Sequence, residues 1–286
     1  MNGATRRFAC TQCGKCCDRS PEVELCEAAA LADVFVFRLM FRLHSLPKHP
    51  IYRRGESASA FYERKRLLSA HAARTYSKKY VREGKLTEHI NYLMISALAV
   101  DAGRGACSAM SDNRCGIYER RPLGCRTVPF HYSRLESSAE RDLTQFVGTP
   151  GYGCDVGETA PMVLDGGVIV DEQTNAARSK ALALAKADRG WKEAIVRRMK
   201  SGSVHAASLP TLHQVEANAQ FGALTSSMRV GWEIAVEAGL MSETDGRALI
   251  GLQIKAIDRE LLGTSDAADR QTLREMSVEY RQALAG

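Results

Sequence analysis

The run Cys10-Thr11-Gln12-Cys13-Gly14-Lys15-Cys16-Cys17 places four thiols within eight residues. Buried cysteines usually serve as isolated small apolar side chains, and a run this dense is hard to absorb into a core that way. Metal ligation explains it directly. Thiolates are soft, anionic and short-armed, and two of them separated by two residues can hold one metal within a tight turn. Gly14, inside the second such step, lets backbone amides turn toward the sulfurs. C-x-x-C-x-x-C also opens the cluster sites of bacterial ferredoxins, which a distant cysteine completes. The ferredoxin ending, three residues and then Cys-Pro, is absent, so this is not a ferredoxin. Adjacent side chains in an extended segment point to opposite sides. Cys16 and Cys17 therefore serve two centres, or one of them is an outer or reactive thiol.

Four further cysteines, Cys107, Cys115, Cys125 and Cys154, follow at long range. Together the eight would make two four-sulfur sites, or one cluster with spare thiols. Cys10, Cys13 and Cys16 need a fourth ligand, which Cys107, Cys115, Cys125 or Cys154 would supply. Spacing does not separate zinc from iron–sulfur; the three-cysteine run with a remote fourth ligand leans toward [4Fe-4S]. Cys26 lies on a predicted helix and reads as packing. Arg120, Arg121 and Arg126 flank the later thiols, either offsetting thiolate charge or forming a solvated turn. If the chain is an enzyme, Cys17, Tyr118, Arg126 and His131 are its reactive candidates, because Tyr and His move protons and Arg holds anions. No Walker loop, G-x-G-x-x-G after a strand, or G-x-S-x-G elbow is present, so common nucleotide and serine-hydrolase chemistry has no support.

The chain has 286 residues and an odd count of nine cysteines. Its first residues carry charge but no apolar signal core, and its longest apolar stretches are too short to span a membrane. It reads as a soluble cytoplasmic protein with reduced thiols, which favours metal over disulfides. Between Lys48 and Arg82 ten basic residues face only Glu56 and Glu63, a local charge of +8 in a chain of net +6. That segment suits docking of an acidic protein partner; the modest overall charge argues against a dedicated nucleic-acid binder.

Apolar spacing predicts helices over 22–43, 58–83, 86–100, 175–200, 210–239, 243–262 and 265–284. It also predicts a short hairpin over 162–171 with its turn at Asp165-Gly166-Gly167, and a linker at 201–210. The expected fold is mainly α, with irregular metal-stabilised loops and at most a short β-hairpin. The cysteines end before the composition changes, dividing the chain into a cysteine-cluster domain at 1–172 and an α-helical extension at 173–286.

The N-terminal C-x-x-C-x-x-C-C, Cys107, and the stretch C-x-I-Y-E-x-R-P-x-x-C-R-x-x-P-F from Cys115 to Phe130 closely resemble the YkgJ-type cysteine-cluster family, described as zinc- or iron-chelating. The resemblance covers about residues 8–157. It implies that Cys10, Cys13, Cys16, Cys17, Cys107, Cys115, Cys125 and Cys154 are the family's cysteines. The usual Cys-Pro-Gly ending is replaced here by Cys154-Asp155-Val156-Gly157. The family is also distantly similar to flagellin lysine N-methylases, although Cys125-Arg126-Thr127-Val128-Pro129-Phe130 lacks the Tyr and final Arg of their corresponding element. The resemblance implies a metal-binding protein holding an iron–sulfur cluster or zinc with a redox, sensing or structural role. A protein-modifying enzyme, such as an S-adenosylmethionine-dependent lysine N-methylase, is the alternative.

Overall fold

The computed structural model describes residues 5–17, 20–49, 57–82, 85–100, 106–132, 135–201 and 209–285. Its strands are β1 (Arg6–Arg7), β2 (Glu22–Val23), β3 (Phe37–Pro47), β4 (Ala72–Arg82), β5 (Lys85–Ala99), β6 (Met110–Ser111), β7 (Arg114–Cys115), β8 (Met162–Asp165), β9 (Val168–Ile169) and β10 (Leu224–Ser227). Its α-helices are α1 (Leu25–Ala30), α2 (Ala58–His71), α3 (Leu123–Arg126), α4 (Ala139–Val147), α5 (Glu172–Ala187), α6 (Arg189–Ser201), α7 (Leu212–Asn218), α8 (Met228–Glu237), α9 (Glu243–Gly263) and α10 (Ala267–Ala285).

The expectation of a mainly α fold is overturned. Of the described residues about 49% are helical and 22% strand, and they form three antiparallel sheets. The largest has five strands and is built on β5, with β3 along one edge, β10 beyond β3, and β2 and β4 sharing the other edge. Three predicted helices fail here. The 22–43 segment is helical only over α1 and then becomes β3. The 58–83 segment stops being helical at His71, and 86–100 is the central strand. In β3 the buried Phe37, Leu39, Phe41 and Leu43 alternate with half-buried Arg38, Arg42 and His44. That is a period of two, which the helix-like spacing of Val34, Phe37 and Phe41 conceals. A short apolar run such as Ile90–Val100 fits a buried strand as well as a buried helix, and here flanking strands on both edges decide it. The hairpin forms as β8 and β9, with Gly166 and Gly167 at positive φ.

The main core lies between this sheet and the later helices. Phe35, Phe37, Leu39, Phe41, Ile95 and Ala97 pack with Trp191, Ile195, Met228, Trp232, Ile257 and Tyr280 in one cluster. The cluster crosses the change of composition at residue 172, and β10 from beyond it pairs with β3. The predicted 210–239 helix is accordingly interrupted to supply β10. Gly231 on α8 faces Leu39, where an added Cβ would come within 3.2 Å of the leucine methyls. The fully buried Gln253 of α9 closes the entry to β3: its carbonyl accepts from Phe37 N at 2.8 Å, and its amide donates to Ala32 O at 2.9 Å and Phe35 O at 2.6 Å. Buried backbone groups that the sheet leaves unpaired are thus satisfied by one side chain.

A smaller cluster of Phe8, Phe130, Leu143, Val163, Leu164 and Ile169 carries the sheet β1-β8-β9. Of the basic segment, Lys48 pairs with Glu88 at 3.0 Å and Lys78 with Glu216 at 2.6 Å, while residues 50–56 lie outside the described residues. Most of the predicted 201–210 linker also lies outside them. Among the described residues no helix is long and apolar enough to cross a membrane.

Candidate metal centre

Four separate pieces of backbone converge on one place. The first is the N-terminal segment after β1. Phe8 N donates to Pro161 O, and Ala9 and Asp155 exchange hydrogen bonds of 2.8 and 3.1 Å, laying Cys10 beside Cys154. Thr11 Oγ1 donates to Gly153 O at 2.7 Å and keeps the two strands together past the bridge. The chain then coils through left-handed Gln12 (φ 57°) and Gly14 (φ 73°), and Cys17 N donates to Gly14 O. A Cβ at Gly14 would stand 2.5 Å from Asn113 O, so only glycine lets this coil press against the next segment.

That next segment is the hairpin β6–β7, closed by Asp112 and Asn113, both at positive φ. Such a pair at the centre of a two-residue loop matches strand twist. Cys107 N donates to Cys17 O at 2.8 Å, and Cys115 stands across from Met110 in the hairpin register. Cys125 rides on the single turn α3, which is tied to α1 because Leu123 N donates to Glu27 Oε1 at 2.7 Å. Arg126 fastens the approach to α3, donating to Arg121 O and Glu119 O.

Cys10, Cys13, Cys16, Cys17, Cys107, Cys115, Cys125 and Cys154 all line one cavity of about 90 Å³. All eight are half-buried free thiols. Apolar groups, among them Phe8, Phe35, Met110, Ile117, Phe146 and Tyr152, make up most of the remaining wall. The thiols fall into two electrostatic neighbourhoods. Cys154 feels Cys13, Cys16 and Cys10, whereas Cys17 feels Cys125, Cys107 and Cys115. The neighbourhoods meet where the Cys16 thiol donates to Cys17, which pushes Cys16 up and holds Cys17 down from the usual thiol range. The backbone N–H groups of Lys15 and Gly153 lower Cys13. Burial, reinforced by neighbouring thiolates, raises Cys125 to about 12 and Cys154 to about 11.

This donor set fits zinc or iron chemically. Eight soft ligands share one water-poor cavity, and backbone amides are already turned toward sulfur, as at Gln12 N to Cys10 Sγ, 3.4 Å. Among the described residues no three donors already stand closed around an ion-sized point. A cysteine ligates as thiolate, so metal binding would be coupled to loss of thiol protons.

The other residues singled out from the sequence separate. Tyr118 and Arg121 line the thiol cavity, with the guanidinium 3.7 Å above the tyrosine ring centre. Arg121 is the cation that acts on Cys125. Arg120 instead pairs with Asp33 at 2.9 Å, and Arg126 is committed to carbonyls. His131 stacks on Tyr132 at 4.4 Å and lines a neighbouring cavity. Cys26 sits on α1 away from the eight, its thiol raised to about 12 by burial and by Asp188. The apolar wall from Phe8, Phe146 and Tyr152 was missed. Its residues lie far apart in the chain, and nothing in their local pattern connects them.

A family model described as "CxxCxxCC: Putative zinc- or iron-chelating domain" matches residues 9–154, a span that contains all eight of these thiols. No curated protein and no solved structure matches the chain.

Proposed function

We propose that this chain, which belongs to the CxxCxxCC family of zinc- or iron-chelating domains, holds metal as two four-thiolate centres in one cavity. Cys10, Cys13, Cys16 and Cys154 form the first set, and Cys17, Cys107, Cys115 and Cys125 the second. The supporting observation is the division of the eight cavity thiols into two neighbourhoods that meet at Cys16, which acts on both Cys17 and Cys125. The neighbouring Cys16 and Cys17 then serve different centres. The first set has the ligand order of a four-iron cluster, three cysteines at C-x-x-C-x-x-C and one remote thiol, and we assign it [4Fe-4S]. When bound, the metal supplies ligand bonds that pin loops otherwise held by few hydrogen bonds. Around it the chain's own groups limit water through the aromatic wall, present amides to sulfur from the Gly14 coil, and offset thiolate charge with Arg121.

Metal analysis and the visible spectrum of anaerobically purified protein test this, with serine variants of both sets. Cys10→Ser and Cys154→Ser should each abolish the brown iron–sulfur absorbance and leave the second metal. Cys115→Ser and Cys125→Ser should do the reverse. A colourless protein containing zinc alone would remove the cluster assignment. Equal loss of all metal in every variant would remove the two-centre arrangement.

A further inference from the structure

A second cavity, of about 520 Å³, lies outside the thiol wall and contains no cysteine. Its inner side is a buried polar triad. Lys192 Nζ donates to Glu24 Oε2 at 2.5 Å, and Glu24 Oε1 meets His71 Nδ1 at 2.8 Å. The three side chains are between 2% and 6% exposed. Lys192 also donates to His71 O at 3.2 Å, so it braces both partners. A carboxylate only accepts, so His71 Nδ1 carries the proton toward Glu24. The other ring nitrogen, Nε2, is buried and has no hydrogen-bond partner. With the proton on Nδ1, Nε2 is an unpaired hydrogen-bond acceptor on a residue that lines the cavity, and a bound hydroxyl can donate to it. A buried acceptor left unpaired is costly, and a ligand that donates to it removes that cost.

The rest of the wall favours a negative ligand. Arg42, Arg64, Arg141 and Lys192 line it against three carboxylates. Each carboxylate is engaged: Glu22 by Arg42 and Ser96, Asp142 by Ser138, and Glu24 by the triad. Arg141 is 77% exposed and reaches Asp142 only at 3.6 Å. The volume lies in the range of small-molecule sites, roughly 300–1,000 Å³.

We propose that this cavity is a second ligand site for a small hydroxycarboxylate. Its hydroxyl donates to His71 Nε2, and its carboxylate is met by the Arg141 guanidinium. His71 is the hydrogen-bond acceptor; Glu24 and Lys192 are positioning residues that fix its ring. The sequence carried no signal of this site, because residues 24, 71 and 192 are remote in the chain and all fell within predicted helices.

The test uses the full chain with ¹⁵N-labelled histidine, whose ring nitrogens are followed by NMR. The His71 signals are identified by their loss in His71→Gln. Glycolate, malate and the uncharged 1,4-butanediol are titrated in turn. Malate or glycolate should shift the His71 Nε2 signal saturably while butanediol does not, and Arg141→Gln should weaken that binding about tenfold. Arg141 is exposed, so its replacement leaves the fold intact. No saturable shift with either acid, an equal shift with butanediol, or unchanged affinity in Arg141→Gln would overturn the proposal.

Discussion

The thiol cavity and the five-stranded sheet both hold distant parts of the chain side by side, by opposite means. The sheet does it with regular ladders, β3 pairing with β5 over eleven residues and backing onto a continuous apolar cluster. Around the thiols the ladders shrink to two-residue strands and single bridges, and the local apolar cluster is small. The sheet side also buries charge, at Glu24, Lys192 and Asp188, and satisfies it internally. The thiol side gathers eight half-buried thiols around one cavity. One region is held by long ladders and a large core; in the other, the proposed metal would supply the closure that short ladders do not.

The largest effect expected on this contrast comes from Lys192→Met. Removing the cation leaves the Glu24 carboxylate buried and uncompensated, which costs about 3–5 kcal/mol. Urea unfolding should show that loss equally with and without metal. A loss seen only in metal-loaded protein would mean that the two regions are not independent.

Asp188 gives a signed pH test of the same side. Burial raises its carboxyl to about 6, while its oxygens accept from Leu25 N and Cys26 N. The folded state therefore binds the proton more tightly than the unfolded chain, whose value is about 3.9. The associated stability is present below that unfolded value and is lost as pH rises to about 6. Asp188→Asn keeps an acceptor and cannot ionise. Relative to it, the native chain should lose on the order of 2–3 kcal/mol across this window in denaturant titrations. Parallel stability curves for the two proteins would contradict the assignment.

Gly14→Ala probes the other side. It forces a side chain into a left-handed position against Asn113 O, at about 1–3 kcal/mol. Hydrogen exchange should quicken in 106–117 and 150–155, with metal content falling, while β3 and β5 keep their protection. Faster exchange in β5 would break the comparison. The smallest effect belongs to Arg121→Gln, which removes the cation over Tyr118, worth about 0.5–1 kcal/mol, and a positive charge that acts on Cys125. It should weaken metal binding several-fold in chelator competition and leave the unfolding of metal-free protein nearly unchanged.

Legibility followed the same division. The thiol run could be read directly because its chemistry is local: spacing of two residues and a glycine are enough to state what such a segment can hold. Long amphipathic helices were legible too, since 243–262 and 265–284 correspond closely to α9 and α10. The strands β3, β4 and β5 were not. Their apolar runs fit more than one period, and pairing with remote partners chose between them.

By itself, then, the sequence determined the donor chemistry, the glycine at the coil and the helical character of the last hundred or so residues. Those are properties of single residues and short repeats. Tertiary structure alone decided that Cys10 lies beside Cys154 and Cys17 beside Cys107, that β10 crosses back to β3, and that Glu24, His71 and Lys192 meet. The reason is physical: these contacts join residues remote in the chain, and a partner across such a distance leaves no mark on local periodicity.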